Sequence, residues 1–240
     1  MSNTVLKTNI DNFEVHCFDK MESAVSTIMN HNLDNATIAV AINPEKILAS
    51  RTSSETKSAI EVANFRYLDG MGAVWVASKK LGQKISRIPG CELWEQLMIA
   101  AAKDDTPVFI LGAKERVLLR TVDKLKQQGV NVVGSQDGYF SDEELLINEI
   151  RRSGAKILSV ALGSPKQELF MKKAKDSGLT CFMMGVGGTY NVFVGEVKRA
   201  PDFWCRLNLE WLYRLLSEPS RIFRQIKLTK YVYLALANKL

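Results

Sequence analysis

One loop combines residue types that could bind a phosphate or another anion. The segment Gly163-Ser164-Pro165-Lys166-Gln167-Glu168 follows an apolar run, and its proline suits the first turn of a helix. Backbone N–H groups at that helix start, the Ser164 hydroxyl and the Lys166 ammonium would together attract negative charge. A plain strand-to-helix turn, in which Ser164 caps the helix, explains the same residues equally well.

A second loop is rich in glycine. Gly185-Val-Gly-Gly-Thr189 approaches the dinucleotide-binding pattern Gly-x-Gly-x-x-Gly, but Tyr190 stands at the last position, where glycine permits close helix packing. The sequence therefore disfavours a dinucleotide-dependent dehydrogenase, while a glycine loop beside a phosphate remains open. The groups that could contact such a phosphate are the backbone of Gly187 and Gly188 and the side chains of Lys198 and Arg199.

A carboxylate and a guanidinium offer further chemistry. Asp69 follows a short apolar run, so it could act as a general base at the ligand-binding edge of a sheet, or simply form an Asp-Gly turn. Arg87 precedes Pro89-Gly90 and could pair with a phosphate or a carboxylate. Polar groups and a ring for a nucleobase or a sugar are present at Asn43, Gln136, Asp137 and Tyr139.

The metal-binding and redox residues are sparse. The four cysteines lie far apart, and the only histidines are His16 and His31, so we expect neither a disulfide framework nor a metal site. The chain also lacks an Asp-x-Asp pair that could hold a metal diphosphate. The first twenty residues lack an apolar signal segment, so we expect a protein that is not exported.

These loops need a scaffold, and the order of segments supplies one. From about residue 35, short apolar runs at 36–42, 65–68, 107–111, 130–134, 156–162 and 180–184 alternate with helical patterns. Alternation of this kind predicts an α/β fold, a mainly parallel and Rossmann-like sheet with helices on both faces. In such a sheet, ligands bind beyond the carboxyl ends of the strands, where all of these loops begin.

The positive charge is concentrated at the C-terminal end. Residues 203–240 contain seven basic and two acidic residues, so they carry five of the six net positive charges. We predict a core over residues 1–202 and a basic, amphipathic helical appendage over 203–240, with an apolar stripe at Ile222, Ile226, Tyr233 and Leu236. Interleaved aromatic and basic residues favour an anionic membrane surface over a helix docked on the core, and over nucleic acid.

Several co-linear motifs resemble one enzyme family. The match to the WecG/TagA/CpsF glycosyltransferases (glycosyltransferase family 26) runs over roughly residues 35–238, and the tail Leu209-Glu-Trp-Leu-Tyr-Arg-Leu-Leu216 looks most like the WecG branch. The motifs are Ala41-Ile-Asn-Pro-Glu-Lys46, Asp69-Gly70, Arg87-Ile-Pro-Gly-Cys-Glu-Leu-Trp94, Gly134-Ser-Gln-Asp-Gly-Tyr-Phe140, Gly163 to Glu168, Gly185 to Tyr190 and Val197-Lys-Arg-Ala-Pro201.

The resemblance implies an inverting transfer without metal or cofactor. Asp69 would deprotonate the acceptor hydroxyl, and Arg87 and Gln167 would line the pocket. The implied donor is UDP-N-acetyl-D-mannosaminuronic acid, and the implied acceptor is undecaprenyl-diphosphate-linked N-acetylglucosamine, at the cytoplasmic face of a bacterial inner membrane. The cations implied to stabilise departing UDP or to hold the lipid diphosphate are Arg214, Arg221 and Arg224.

Two positions depart from the family pattern. Ala41 replaces a threonine of the teichoic-acid branch, which points away from plain N-acetylmannosamine, and Asn191 replaces a common aspartate. A uronate donor needs a cation for its carboxylate, for which Lys46 and Arg87 are the candidates. The alternatives are a related transferase that uses a neutral UDP-sugar, and a non-catalytic module that binds nucleotide or lipid.

Overall fold

A computed structural model describes residues 5–31, 33–198, 201, 203–204, 212–213 and 222–240. Within them, one sheet contains β1 (Leu6–Ile10), β2 (Phe13–Cys17), β3 (Thr37–Ile42), β4 (Phe65–Leu68), β5 (Val108–Gly112), β6 (Val132–Gln136), β7 (Ile157–Ala161) and β8 (Phe182–Gly185). The strand order is β1-β2-β4-β3-β8-β7-β5-β6. Only the pairing of β1 with β2 is antiparallel. The predicted mainly parallel α/β fold is therefore confirmed.

Helices cover both faces of the sheet, as predicted. On one face, the core side chains come from α1 (Met21–His31), α5 (Gly90–Lys103), α6 (Glu115–Gln127) and α9 (Thr189–Phe193). On the other face, they come from α2 (Pro44–Ser50), α3 (Ser54–Glu61), α4 (Met71–Leu81), α7 (Glu143–Arg152), α8 (Lys166–Asp176) and α10 (Ile222–Leu236).

The apolar runs become strands because both of their faces are covered. In β3, Ile38, Val40 and Ile42 enter one core while Ala39 enters the other, as expected for a parallel strand between two helix layers. The predicted strand at 130–134 begins later, at Val132. The reason is that the Val130 N–H donates to the Leu125 carbonyl and closes the end of α6.

The N-terminal hairpin was not anticipated, because the predicted alternation started only near residue 35. Ile10 pairs with Phe13, so Asp11 and Asn12 alone form the turn, with φ of 49° and 69°. A two-residue turn of this kind requires positive φ, which Asn and Asp tolerate better than other non-glycine residues. β2 then joins the parallel sheet beside β4, where His16 pairs with Tyr67.

The end of the appendage packs on the core along one side. Tyr231, Leu234 and Ala235 of α10 are buried, and α10 lies against α2. Tyr233 and Leu236 of the predicted stripe are 63% and 64% exposed, so that part of the stripe faces away from the core. The side chains of Ile222 and Ile226 and the predicted boundary at 202 lie outside the described residues. Among the described helices, none is long and apolar enough to cross a bilayer.

Candidate active site

The fold brings the predicted loops to one edge of the sheet. β4, β3, β8, β7, β5 and β6 are neighbours in that order, and each ends at the same edge. We call the loops after these six strands the rim. Five steps of about 4.8 Å separate the end of β4 from the end of β6, so the rim is roughly 24 Å wide. Its successive loops contain Asp69, Asn43, Gly187, Gly163, Ala113 and Asp137.

Asp69 is held at one end of the rim by Arg87. The Asp69 N–H donates to the Ile42 carbonyl at 3.0 Å, which fixes the backbone beside β3. Arg87 Nε donates to the Asp69 carbonyl at 2.5 Å, and Arg87 Nη2 donates to Asp69 Oδ1 at 3.2 Å. Both side chains are partly exposed, so the carboxylate is oriented yet reachable from the rim, as a general base requires.

The second carboxylate oxygen of Asp69 lies near the start of α5. A Cβ on Gly90 would come within 2.9 Å of the Tyr67 hydroxyl and 3.7 Å of Asp69 Oδ2. Glycine therefore permits the first turn of α5 to approach both groups, and the helix dipole favours the negative charge there. Burial, with the nearby charge of Asp69, raises the pKa of the Tyr67 hydroxyl, which stays protonated.

A buried ion pair lies beneath the next part of the rim. Asn43 caps α2 by accepting from the Lys46 N–H at 2.9 Å, and Lys46 Nζ donates to Glu168 Oε1 at 2.8 Å. The Glu168 side chain is 1% exposed, and its Oε2 has no hydrogen-bond partner among the described residues. Burial raises the pKa of Glu168, but the charge and hydrogen bond of Lys46, with a hydrogen bond from Gln167, outweigh it and leave that pKa lowered.

Gln167 links this ion pair to the glycine loop. Its Nε2 donates to Glu168 Oε1 at 3.2 Å, and its Oε1 accepts from the Gly187 N–H at 3.0 Å. A Cβ on Gly185 would lie only 2.5 Å from Gln167 Nε2, so glycine is needed for this contact. The loops after β3, β7 and β8 are thus joined by one chain of hydrogen bonds.

Several of the candidate phosphate ligands are exposed. Ser164 and Lys166 are exposed at the start of α8, and Gly163 adopts φ of 77°. Pro165 occupies the cap position without a side-chain hydrogen bond, so the alternative in which Ser164 caps the helix is wrong. Gly188 and Lys198 are exposed as well, while Arg199 lies outside the described residues.

The third group of predicted residues lies at the far end of the rim. Asp137 Oδ1 accepts from Gln136 Nε2 at 3.1 Å and from the Tyr139 N–H at 3.0 Å. The Tyr139 side chain is 73% exposed, which leaves its ring open for stacking. These residues share the edge with Asp69 but are several strands away from it.

Tyr190 belongs to the core and not to a ligand loop. Its hydroxyl donates to Ser159 Oγ at 2.7 Å, and its ring centroid lies 5.5 Å from that of Trp94. The Tyr190 side chain is therefore packed in the core. This is consistent with the departure from the dinucleotide-binding pattern, which has glycine at this position.

Three predicted arginines are not placed by the described residues. Arg214 and Arg221 lie outside them, and Arg224 lies in α10 with its side chain outside them.

Sequence reasoning assigned no role to Glu168 or Tyr67. The signal for Glu168 was a glutamate directly after Gln167, and the signal for Tyr67 was its position two residues before Asp69, on a strand whose residues alternate in direction.

Two clefts lie away from the rim, and the side chains that could bind a metal ion are dispersed over the described residues. Clefts of about 440 and 500 Å³ are lined by residues of the β1–β2 turn with the end of α10, and by α6 with α9, and neither includes a rim residue. Within the described ranges, no group of three or more His, Cys, Asp or Glu side chains could hold a metal ion.

Comparison with known proteins gives a match over nearly the whole chain. Residues 5–240 match the sequence model described as "Glycosyl transferase WecG/TagA/CpsF family". The match includes the N-terminal hairpin and α10 as well as the rim loops.

Proposed function

The chain belongs to the WecG/TagA/CpsF family of glycosyltransferases, and from that premise we propose that Asp69 is the general base of an inverting transfer from a UDP-sugar to a lipid-linked acceptor. The observation that carries the proposal is the double contact of Arg87 with Asp69, because it orients a carboxylate at the end of β4. Ligands of such sheets bind at this edge.

The proposed step balances without a metal. The acceptor hydroxyl oxygen attacks the anomeric carbon, its proton passes to an Asp69 carboxylate oxygen, and the bond from the anomeric carbon to the diphosphate oxygen breaks. UDP leaves with the electron pair, so negative charge develops on the diphosphate and must be stabilised by positive groups. We assign this task to Ser164 and Lys166 at the start of α8, to Gly188 in the glycine loop, and to the basic residues Lys198, Arg199, Arg214, Arg221 and Arg224. The Gly187 N–H already donates to Gln167, so Gly187 would shape the loop and not bind the phosphate directly.

For the substrates, we propose UDP-N-acetyl-D-mannosaminuronic acid and undecaprenyl-diphosphate-linked N-acetylglucosamine, which would make the product a precursor of enterobacterial common antigen. This proposal is supported by the WecG-like tail at 209–216 and by Ala41 in place of threonine. We assign contacts to the nucleobase, ribose or sugar to Asn43, Gln136, Asp137, Tyr139, Gly163 and Gln167.

A neutral donor is the second candidate, and one observation favours it. Lys46 and Arg87 were the candidates to bind a uronate carboxylate, yet Lys46 is paired with Glu168 and Arg87 with Asp69. A uronate would have to compete with carboxylates already present. Turnover measured with UDP-N-acetylmannosaminuronic acid and with UDP-N-acetylmannosamine separates the two: at least tenfold preference for the uronate supports the first proposal, and the opposite preference supports the second.

For its location, we propose peripheral attachment to the cytoplasmic face of the bacterial inner membrane through the basic appendage. The charge of residues 203–240 supports this, since an anionic lipid surface attracts Lys and Arg clusters. A chain that ends at residue 219 should lose sedimentation with anionic vesicles. Unchanged sedimentation of that shortened chain would contradict the proposal.

A further inference from the structure

Helix α4 displays an apolar stripe that starts beside Asp69. Met71 and Trp75 are 40% and 45% exposed, and their four-residue spacing puts them on one side of the helix. Lys79 continues the same side, with its ammonium 5.6 Å from the centre of the Trp75 ring. Because Met71 follows Asp69 by only two residues, the stripe leads directly away from the candidate base.

Helix α10 lies alongside α4. The Tyr231 ring comes within 3.1 Å of the position that a Gly72 Cβ would take, and Lys79 Nζ donates to Asn238 Oδ1 at 3.0 Å. These two contacts are separated by seven residues on each chain segment, so the segment from Tyr231 in α10 to Asn238 just after it runs in the same direction as α4. The outer side of α10 exposes Val232, Tyr233 and Leu236.

The charged residues in the sequences of these two helices all have one sign. Neither α4 nor α10 contains an acidic residue, and together they contain Lys79, Lys80, Arg224, Lys227 and Lys230. A Lys239 ammonium also lies 5.8 Å from the centre of the Tyr233 ring. Trp and Tyr favour the boundary between lipid headgroups and hydrocarbon, and lysines favour anionic headgroups.

We propose that Met71, Trp75, Val232, Tyr233 and Leu236 form one bilayer-contacting face, the α4/α10 face. Its occupant is the interfacial region of an anionic bilayer. The proposal deepens the proposed function, since it adds a core helix to the membrane contact and places the Asp69 end of the rim at headgroup level. An acceptor diphosphate would then reach Asp69 while its isoprenoid chain stays in the bilayer.

Charge and composition favour lipid over other occupants. A nucleic acid would not select Met71, Leu236 and Val232, and an obligate protein interface is depleted of lysine at its core. An interfacial membrane helix combines an apolar side with flanking cations. The α4/α10 face has that combination on two adjacent helices.

The test is vesicle sedimentation with the full chain and without donor or acceptor, so that its outcome does not depend on turnover. The variant is Met71→Ser/Trp75→Ser, and the matched control is Leu119→Ser/Leu145→Ser, which removes side chains 54% and 65% exposed on α6 and α7. Vesicles contain phosphatidylcholine with or without phosphatidylglycerol. Circular dichroism and light scattering check folding and oligomeric state.

We expect partitioning of Met71→Ser/Trp75→Ser onto anionic vesicles to fall about tenfold or more, since two apolar side chains no longer enter the bilayer interface. The control should partition as the wild type does. As a second measurement, brominated lipids should quench tryptophan fluorescence less in Trp75→Phe than in the wild type. Equal partitioning of the variant and the wild type would overturn the proposal. So would a variant that changes from dimer to monomer in light scattering while its binding to vesicles is unchanged.

Discussion

Arg87 donates two hydrogen bonds to Asp69, one to the Asp69 backbone carbonyl at 2.5 Å and one to Asp69 Oδ1 at 3.2 Å. The neighbouring Ile88 N–H donates to the Leu68 carbonyl at 2.8 Å, so the segment before α5 runs along the end of β4. One carboxylate oxygen is thereby fixed by a cation, and the other lies toward Gly90. We infer that Arg87 is a positioning residue for the base, a different role from pairing with the substrate.

Arg87→Lys tests this positioning. Lysine keeps the charge but loses the planar, two-point geometry, so we expect kcat to fall about tenfold or more while KM for the donor changes little. Arg51→Lys is the matched control, because Arg51 makes a similar double contact with Asp11 away from the rim. A rise in donor KM with unchanged kcat would instead assign Arg87 to substrate binding.

Lys46→Met tests the buried ion pair. Removal of one partner of such a pair leaves the other charge unpaired and typically costs about 3–5 kcal/mol in the free energy of unfolding. We expect this loss in urea denaturation at pH 7.5, and partial recovery in Lys46→Met/Glu168→Gln. Lys173→Met removes an exposed pair with Glu143 and should cost about 1 kcal/mol or less. Equal losses for Lys46→Met and Lys173→Met would contradict the account.

The same pair predicts a pH dependence. The pKa of Glu168 is lowered in the folded protein from its ordinary 4.5, so its contribution to stability is present above about pH 4.5 and is lost as the pH falls further. In Lys46→Met, burial without the cation would raise that pKa, so its stability deficit should shrink between pH 7.5 and 5. A stability deficit that is larger at pH 5 than at pH 7.5 would contradict this prediction.

Gly185→Ala tests the link between α8 and the glycine loop. Its Cβ would lie 2.5 Å from Gln167 Nε2 and would displace the side chain that holds the Gly187 N–H. We expect calorimetric UDP affinity to fall several-fold. Gly185→Ala/Gln167→Ala should regain thermal stability, because the clash is gone, but not UDP affinity, because the contact with Gly187 is gone too. Recovery of UDP affinity in the double variant would contradict a role for Gln167.

The cysteines should differ in reactivity. Burial raises the pKa of the Cys17 thiol to about 11 and that of Cys181 to about 12, while Cys91 is half-buried at the start of α5. Since the thiolate is the reactive form, iodoacetamide at pH 8 should label Cys91 well before the other two in a Cys205→Ser background. Peptide mass spectrometry measures this order, and rapid labelling of Cys181 would show that its surroundings open.

Sequence reasoning located the rim because strand ends can be predicted from short apolar runs. β3 and β4 end where the runs at 36–42 and 65–68 stop, so Asn43 and Asp69 had to lie at one edge once the sheet was parallel. The partners of the cations were not accessible in this way. Lys46 and Glu168 are 122 residues apart, and only the order β3-β8-β7 brings their loops together.

The hairpin and the appendage show the same limit. The Asp11-Asn12 turn lacks the glycine that marks most two-residue hairpin turns, so β1 and β2 gave no clear signal. In α10, helical periodicity identified an apolar stripe at Tyr233 and Leu236. It could not show that Tyr231 would instead contact the core, because Gly72 makes that contact possible from another helix.

The most direct test of the central claim is acceptor-dependent UDP release in EDTA, for the wild type and Asp69→Asn. The donors are UDP-N-acetylmannosaminuronic acid and UDP-N-acetylmannosamine, and the acceptor is a lipid-diphosphate N-acetylglucosamine. We predict turnover that survives chelation with one of the donors and falls by at least about a hundredfold in Asp69→Asn, the scale of a lost general base. Turnover undiminished in Asp69→Asn would contradict the assignment of Asp69 as the base.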